Sequence, residues 1–162
     1  MKAILNELIE HRSLTKDTAK KVLVDLASGK FNASQTTAFM TVYMMRSITV
    51  DELQGFRDAM LELCLRVKFE QPVMDVCGTG GDGKNTFNLS TLSSFVVAAA
   101  GQPVAKHGNY GVSSPCGSSN IMEYFGYKFT NDIDALRKSL DHANICFMHA
   151  PLFHPAMKNV AP

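Results

Sequence analysis

The stretch Val73-Met-Asp-Val-Cys77, followed at once by Gly78-Thr-Gly-Gly-Asp-Gly-Lys-Asn-Thr86, decides the fold of this chain. Its first five residues form a short apolar run that predicts a buried strand. Four glycines then fall within six positions, although glycine has no side chain to bury and loses the most chain entropy on ordering. Such glycines let backbone N–H groups approach an anion closely, so a loop of this kind leading into a helix indicates a phosphate site.

The residues after this loop strengthen the phosphate interpretation. We predict a helix from about Ser90 to Ala100, and its start, Asn88-Leu-Ser-Thr91, offers hydroxyls and exposed amides to the same anion. Taken by itself, the loop also fits a flexible turn with a good cap. It is neither a P-loop nor a dinucleotide-binding turn, because Lys84 is not followed by Ser or Thr at the required place and the glycine spacing differs.

A second glycine-containing turn, Lys106-His-Gly-Asn-Tyr-Gly-Val-Ser-Ser114, comes directly after a strand predicted at 103–105. Its side chains are therefore expected at the carboxyl edge of a sheet, where ligands of open α/β folds bind. There Lys106 would neutralise phosphate charge and Asn109 could hydrogen-bond a second substrate. The pattern leaves His107 open between a functional role and a satisfied buried histidine.

A third turn, Pro115-Cys-Gly-Ser-Ser-Asn120, leads into a helix predicted at 118–125 and offers Ser118 as one more hydroxyl near a helix start. By itself, this serine fits a plain N-cap. Three glycine- and serine-rich turns, each followed by a helix, favour an anion site more strongly than any one of them.

Strands and helices alternate through the rest of this region. We predict a helix at 132–143 and a strand at 145–148, and such alternation implies a mainly parallel sheet. Because three short strands have few partners and parallel strands need both faces covered, we expect the chain to lack much of its sheet.

The first 68 residues have a different pattern, that of helices joined by tight turns. Apolar stripes at helical spacing occur at Leu5, Leu8, Ile9, Val22, Leu23, Leu26, Phe39, Val42, Tyr43, Leu53, Phe56, Met60, Leu61 and Leu63. Capping-box spacing at Asn32–Gln35 and at Thr49–Glu52 marks two helix starts. We therefore predict an α/β chain with a helical subdomain at 1–69 and a partial, mainly parallel α/β domain at 70–162.

The overall composition excludes several classes of protein. The chain has 162 residues, 46% apolar and 19% charged, with a formal net charge of +1, so no basic excess points to nucleic acid. The longest apolar run, 95–101, is far shorter than the roughly 20 residues of a membrane span. We expect a cytoplasmic protein without nucleic-acid or membrane partners. Its four cysteines lack a CxxC pair and are expected to be reduced.

Three motifs in order, GTGGDGKNTFNLST, VAKHGN with VSS, and CGSSN, resemble those of the anthranilate phosphoribosyltransferases of tryptophan biosynthesis. The resemblance covers essentially the whole chain, including the helical segment in front of the motifs. It implies a phosphoribosyltransferase-like fold, shared with nucleoside phosphorylases. It also implies transfer of the 5-phosphoribosyl group from phosphoribosyl pyrophosphate (PRPP) to anthranilate, with Mg²⁺ present and pyrophosphate released.

The resemblance also assigns roles to particular residues. The diphosphate and ribose of PRPP would be held by Gly78, Gly81, Asp82 and Thr86. The pyrophosphate would be bound by Asn88, Ser90 and Thr91, with Ser90 also on a magnesium ion. The loop that would close over the donor comprises Lys106, His107, Gly108, Ser113 and Ser114. Asn109 would contact anthranilate, and Ser118 the donor again.

Two departures from the family qualify the resemblance. Tyr110-Gly111 stands where relatives often have an arginine, so one cationic contact is expected to be absent or replaced by an aromatic one. Relatives are about twice as long, and the chain ends at Pro162, before an arginine that contacts anthranilate and an Asp-Glu pair that binds magnesium in them. We therefore expect negligible transferase activity from this chain by itself.

Two other interpretations remain open at this stage. A pyrimidine nucleoside phosphorylase also has a glycine-rich phosphate loop and a Lys-His-Gly motif, although Asn109 and the series NLST fit the transferase better. The second is a non-catalytic module that binds phosphate or oligomerises through its helices. Under either view we expect a homodimer formed through the helical subdomain.

Overall fold

The computed structural model describes residues 1–76, 78, 87–111 and 116–159. Two units are distinguished by their internal contacts. The first contains Met1–Leu65 together with the segment that begins at His154, and the second contains Arg66–Phe153.

The first unit is a bundle of four α-helices and one 3₁₀ helix. The α-helices are α1 (Lys2–Ile9), α2 (Lys16–Ala27), α3 (Ala33–Met45) and α4 (Val50–Leu63), and the 3₁₀ helix is Pro155–Asn159. The 3₁₀ helix attaches to the end of α2, where Asn159 Nδ2 donates to the carbonyl oxygen of Ala27 at 2.8 Å. The predicted run of helices without strands is confirmed for the first 65 residues.

Both predicted capping boxes are present. Asn32 Oδ1 accepts from the N–H of Gln35 at 2.9 Å, and the Gln35 side chain accepts from the N–H of Asn32 in return. The same reciprocal pair joins Thr49 and Glu52 at the start of α4. These starts were predictable because a cap depends on residues three positions apart and on nothing distant.

The core of the bundle combines expected and unexpected positions. Its buried apolar residues are Leu8, Leu14, Ala19, Val22, Leu26 and Phe39. Ile9 is 68% exposed, so its place in the predicted stripe of α1 is wrong. The same holds for Leu53 and Leu61 of α4, which are largely exposed.

Helix α4 turns a small-residue face toward α2. A Cβ added at Gly55 would overlap the carbonyl oxygen of Lys16 and lie 2.8 Å from Ala19 Cβ. The two helices approach so closely because Gly55 and Ala59 of α4 leave room for the backbone of α2. The larger side chains of Leu53 and Leu61, on the neighbouring face of α4, consequently stay exposed to solvent.

Glu52 is fully buried in this bundle. Its Oε1 accepts from the N–H of Leu14 at 2.9 Å and from Tyr43 Oη at 3.1 Å, while the Arg46 guanidinium binds both carboxylate oxygens at 2.5 and 3.0 Å. Thr49 adds its N–H and hydroxyl at 2.9 and 3.0 Å. Burial would raise the pKa of Glu52, but the Arg46 and backbone hydrogen bonds lower it to about 2.

The second unit is α/β. Its helices are α5 (Leu89–Ala99), α6 (Ser118–Tyr124), α7 (Ile133–Ala143) and α8 (Ala150–Phe153), and its strands are β1 (Val104–Gly108) and β2 (Ile145–His149). The strands pair in parallel, with Val104 opposite Ile145 and Gly108 opposite His149. Met74 forms an isolated parallel bridge with Val104. The predicted parallel α/β architecture behind a helical subdomain is thus confirmed.

Two predicted strands differ from the structure. In the described part of 73–77 there is a single bridge at Met74 rather than a strand, and Cys77 lies outside the described residues. Strand β1 runs on to Gly108, so Lys106 and His107 lie within it and not after it. A lysine can occupy this buried position because its ammonium finds an acceptor in a neighbouring segment.

Alternate residues of the strands build two small cores. Val104, Ile145 and Phe147 pack on one face with α5 and α6, and Ala105 and Cys146 pack on the other with α7 and α8. Burial raises the pKa of the Cys146 thiol to about 11, which makes it a structural residue rather than a nucleophile.

Helix α5 is apolar around most of its circumference. It buries Thr91, Ser94 and Ala98, while its large side chains are exposed, at Leu89, Leu92, Phe95 and Val96. The side of α5 that carries these four residues is therefore an exposed apolar face of the second unit. Within the described ranges, no helix is both long and apolar enough to span a membrane.

Candidate functional site

The candidate site lies at the carboxyl edge of the sheet. Lys106, His107 and Gly108 end β1, His149 ends β2, and Asp75 and Val76 follow the bridge at Met74. Because the strands are parallel, these residues meet at one edge. Helix α5 connects the Met74 bridge to the neighbouring strand β1 in parallel, so its first turn faces the same edge.

Lys106 is the largest fully buried side chain of the chain's described part and is 2% exposed. Its Nζ donates to the carbonyl oxygen of Val76 at 2.7 Å. The next residue repeats the connection, since the N–H of His107 donates to Asp75 Oδ1 at 3.1 Å. Strand β1 thereby fixes the segment that leads into Gly78 and places an ammonium group beside it. The predicted contact of Lys106 with phosphate stays a prediction.

The first turn of α5 gathers several polar groups. Asn88 caps the helix, and its Oδ1 accepts from the N–H of Thr91 at 3.2 Å and from Ser90 Oγ at 3.4 Å. Thr91 is 3% exposed, and its hydroxyl has no hydrogen-bond partner among the described residues. A buried hydroxyl without a partner calls for an explanation, and a bound anion at this helix start is a physical one.

Residues from β1 and α6 meet around Asn109. Its carbonyl oxygen accepts from Ser118 Oγ at 3.3 Å and from the N–H of Ser119 at 3.1 Å. Gly108 is required here, because a Cβ at this position would overlap Ser118 Oγ. The structure therefore brings Gly108, Asn109 and Ser118 together. Ser118 is not the N-cap of α6, since Gly117 occupies that position.

Several predicted site residues fall outside this description. Gly78 is described and exposed. The predicted residues that lie outside the described part of the chain are Gly81, Asp82, Thr86, Ser113 and Ser114.

A buried histidine that was not predicted from the sequence lies beside this site. His149 is 7% exposed, and its Nδ1 lies 2.9 Å from Ser119 Oγ. Its ring stacks on Phe129 with centroids 4.6 Å apart and meets the edge of Tyr110 at 4.8 Å. Burial lowers the pKa of His149. The signal was available, because a residue that ends a parallel strand lies at the ligand-binding edge.

His149 also borders a shallow cleft. The cleft is lined by Lys106, Gly108, Ser118, Ser119, Phe129, Phe147, Met148 and His149. Three predicted site residues, Lys106, Gly108 and Ser118, therefore lie close to an apolar wall formed by Phe129, Phe147 and Met148.

Tyr110, the departure from the family pattern, is also anchored. Its hydroxyl donates to Glu123 Oε1 at 2.5 Å, so its ring connects the end of β1 with α6. The hydrogen bond to Glu123 raises the pKa of Tyr110. Tyr110 thus makes aromatic and hydrogen-bonded contacts at the position where relatives often have an arginine.

The residues that could serve magnesium are oxygen donors of the α5 start. Asn88 Oδ1 already accepts from Ser90 Oγ and from the N–H of Thr91, so Ser90 Oγ is the oxygen that could serve a hard cation. No group of three His, Cys, Asp or Glu side chains that could hold a metal occurs in the described ranges. One neutral hydroxyl fits magnesium only as a partial ligand that complements the charged oxygens of a diphosphate.

Two family models match the chain in series. The helical bundle domain of the glycosyl transferase family matches residues 2–64, and the a/b domain of the same family matches residues 70–162. This chain belongs to the glycosyl transferase family. The names of these two domains agree with the helical bundle and the parallel α/β unit described above.

Curated relatives of this chain are named anthranilate phosphoribosyltransferase. Those from Flavobacterium johnsoniae, Cytophaga hutchinsonii and Bacteroides thetaiotaomicron are 63%, 62% and 53% identical to it, each over 100% of the chain. The chain covers 49%, 50% and 49% of their respective lengths. It thus spans about half the length of these relatives. The predicted resemblance to this family is confirmed.

Solved structures agree with the sequence relatives. The anthranilate phosphoribosyltransferase of Thermus thermophilus superposes with a TM-score of 0.81 at 34% identity, and the match covers 98% of this chain and 48% of that one. The Saccharomyces cerevisiae enzyme, in complex with PRPP and Mg, has a TM-score of 0.80 at 24% identity, covering 97% and 48% respectively. The predicted fold class is confirmed.

Proposed function

We propose that this chain is the N-terminal half of an anthranilate phosphoribosyltransferase and carries most of its PRPP site. The observation that best supports this proposal is that three features lie at one sheet edge. They are Lys106, the first turn of α5 with its hydroxyls, and the contact between Asn109 and Ser118. The named relatives cover the chain from end to end and favour this activity over that of a pyrimidine nucleoside phosphorylase. The cytoplasmic location expected from the sequence stays a prediction.

The proposed reaction needs electrostatic stabilisation more than covalent chemistry. Departure of pyrophosphate from PRPP leaves cationic character at the anomeric carbon and charge on the leaving group. The side-chain NH₂ of Asn88 and the hydroxyls of Ser90 and Thr91 would bind that leaving group, and Lys106 would contribute positive potential. Magnesium, with Ser90 as one ligand, would neutralise part of the diphosphate charge when bound.

Asn109 would orient the second substrate. Its Oδ1 accepts from the N–H of Tyr110 at 2.8 Å, which fixes the side-chain amide and leaves its NH₂ group as the donor. The carboxylate of anthranilate is an acceptor that such a donor could hold, so that the aromatic amine would face the anomeric carbon.

The exposed apolar side of α5 supports the view that further structure completes the site. Leu89, Leu92 and Val96 are each more than half exposed, and helices in parallel α/β folds pack between layers. We propose that the second half of the protein covers this side and supplies the remaining site residues. This chain by itself would then bind PRPP without turning it over.

We also propose a homodimer through the helical bundle. The end of α3 and the start of α4 present exposed apolar side chains, with Met44 86%, Met45 83% and Val50 70% exposed. A group of large apolar residues on a bundle surface marks a protein contact more often than an isolated exposed residue does.

The first test is calorimetric titration with PRPP, with and without Mg²⁺. It is performed on this chain and on its fusion to the C-terminal half of the Flavobacterium johnsoniae relative. We expect magnesium-dependent binding by both proteins, and loss of anthranilate fluorescence in the presence of PRPP from the fusion alone. Phosphorolysis of thymidine by the fusion would support the phosphorylase instead. Binding without transfer in the fusion would support the non-catalytic module.

A further inference from the structure

Asn109 is held by hydrogen bonds at both its main chain and its side chain. Its carbonyl oxygen accepts from the N–H of Ser119 at 3.1 Å and from Ser118 Oγ at 3.3 Å. Its side-chain Oδ1 accepts from the N–H of Tyr110 at 2.8 Å. The direction in which the side-chain NH₂ of Asn109 points therefore depends on where Ser119 and Tyr110 lie.

Ser119 and Tyr110 both contact His149, the last residue of β2. The Nδ1 atom of His149 lies 2.9 Å from Ser119 Oγ, and the two residues are 7% and 2% exposed, respectively. The ring of Tyr110 meets the ring of His149 at an angle of 75°, with centroids 4.8 Å apart. A single side chain on the neighbouring strand thus reaches two residues that orient Asn109.

His149 is itself fixed in place. Its backbone lies opposite Gly108 in the parallel pairing of β1 and β2, and Gly108 directly precedes Asn109. Its ring stacks on Phe129 with centroids 4.6 Å apart and planes 20° from parallel. Because strand pairing and ring stacking leave the imidazole little freedom, it can act as a rigid support for the residues around it.

We propose that His149 is a positioning residue for the acceptor substrate: it sets the orientation of Asn109 and, through Asn109, the binding of anthranilate. The proposal rests on the function proposed above, in which Asn109 contacts anthranilate. His149 acts through Ser119 and Tyr110 and not on either substrate. An amide that is already held in its binding orientation loses less side-chain entropy when anthranilate arrives, so the affinity for anthranilate rises.

The test separates the hydrogen bond of His149 from its ring contacts. His149→Phe keeps a ring beside Tyr110 and Phe129 and removes the Nδ1 atom. Ser119→Ala removes the other partner of the same hydrogen bond, and the double variant completes a mutant cycle. His149→Asn places an amide near the position of Nδ1 and can restore the bond to Ser119. Ile145→Val is the control, because it weakens the core of the same strand mildly, four residues away.

Three properties are measured. Steady-state transfer by the fusion described above gives the KM for anthranilate, the KM for PRPP and kcat separately. Amide hydrogen exchange in the chain without ligands reports on the N–H groups of Ser119 and Tyr110, which donate to Asn109. The thermal midpoint reports on general stability.

We expect His149→Phe and Ser119→Ala each to raise the KM for anthranilate about fivefold, as for one lost hydrogen bond. The KM for PRPP should stay near that of the parent, since Lys106 and the first turn of α5 would hold the donor from other elements. The double variant should match the single ones, because both changes remove the same bond. Exchange at the Ser119 amide should become faster in all three, and His149→Asn should partly restore the KM for anthranilate.

Ile145→Val should lower the thermal midpoint and leave both KM values unchanged. If His149→Phe raised both KM values by the same factor, the site would be loosened as a whole and the positioning role would be overturned. A double variant whose effect is the product of the single effects would overturn it as well, since His149 and Ser119 would then act separately.

Faster exchange with an unchanged KM for anthranilate would also overturn the positioning role, and it would leave the proposed function standing. A parent fusion that binds no PRPP and forms no product would overturn the proposed function, and the role of His149 with it.

Discussion

Glu52 shows at the scale of one residue how a buried charge is made tolerable. Its carboxylate is fully buried and yet ionised, because Arg46, Thr49 and the N–H of Leu14 supply donors to it. Breaking a pair of this kind costs more than the pair contributes, since a buried charge then stays uncompensated. The capping box predicted from the sequence located Glu52, but not its role as an acceptor for Leu14 in another segment, which requires tertiary contact.

We expect acid to destabilise the helical bundle through Glu52. Its folded pKa of about 2 lies below the ordinary value of about 4.5, so its stabilising contribution is complete above pH 4.5 and is lost as the pH falls toward 2. The shift corresponds to roughly 3 kcal/mol. Chemical denaturation at pH 7 and pH 3 should show that Glu52→Gln lowers the free energy of unfolding at pH 7 and flattens its pH dependence. The control is Glu62→Gln, at an exposed position. If the free energy of unfolding of Glu52→Gln depended on pH as steeply as that of the parent, Glu52 would not be the source of the acid sensitivity.

His149 should make the second unit less stable in mild acid. Burial lowers its pKa below the ordinary value of about 6.5, so the unfolded chain binds the proton more readily than the folded one. The contribution of His149 to the free energy of unfolding is therefore complete above pH 6.5, and it decreases as the pH drops below that value. The groups that face His149 are Ser119, Phe129, Tyr110, Glu123 and His107.

The measurement is NMR titration of the imidazole together with unfolding at pH 7 and pH 5. His149→Gln should show a smaller loss of stability between these pH values than the parent does. His142→Gln, on the surface of α7, serves as the matched control. Titration of His149 at or above pH 6.5 in the folded chain would contradict this prediction.

At the scale of elements, local signals predicted the helices well and their contact faces less well. The caps of α3 and α4 follow from residues three positions apart, and the sequence located them. The predicted contact face of α4 is correct at Phe56, which packs against the core, and wrong at Leu53 and Leu61, because close helix packing selected Gly55 and Ala59. Periodicity identifies large apolar residues and gives no information about how near two backbones can come.

Gly55 offers a direct test of that packing. Alanine is the better helix former by about 1 kcal/mol, so Gly55→Ala would stabilise α4 if this position were exposed. Because the added Cβ would overlap the carbonyl oxygen of Lys16, we expect the free energy of unfolding to fall by about 1–3 kcal/mol instead. Gln54→Ala, one residue away and exposed, should change it by less than about 0.5 kcal/mol. Stabilisation by Gly55→Ala in denaturant unfolding would refute the close approach of α2 and α4.

The candidate site was predictable in kind and less so in geometry. Glycine-rich turns before helices indicated an anion site, and Lys106, Asn109 and Ser118 do lie at one sheet edge. The extension of β1 through Lys106 was missed, because a lysine inside a strand needs the distant acceptor Val76. His149 ends a parallel strand and could have been found from that position, but no glycine-rich turn follows it to mark a site.

For the whole molecule, the main open surface of the bundle lies at the end of α3 and the start of α4. Met44 and Met45 are more than four-fifths exposed, and Val50 and Leu53 continue this apolar surface onto α4. Burying such apolar surface in a protein contact stabilises that contact by roughly 25 cal/mol for each square ångström removed from water.

We expect Met44→Glu with Met45→Glu to convert a dimer into a monomer, because two charges would be buried in the contact without partners. Sedimentation velocity over a range of concentrations measures the change. Ser34→Glu, exposed on the same helix, should leave the dimer intact. A parent chain that stays monomeric at high concentration, or a dimer that survives both glutamates, would place the contact elsewhere.

The uncovered apolar side of α5 also sets a time window during synthesis. Ribosomes add about 5–20 residues per second, so a further segment as long as this chain would follow it only after many seconds. Throughout that interval the apolar side chains of Leu89, Leu92 and Val96 stay exposed. A nascent chain in this state is a natural client for chaperones that hold apolar helices, and cells short of them should lose this protein to aggregation before its synthesis ends.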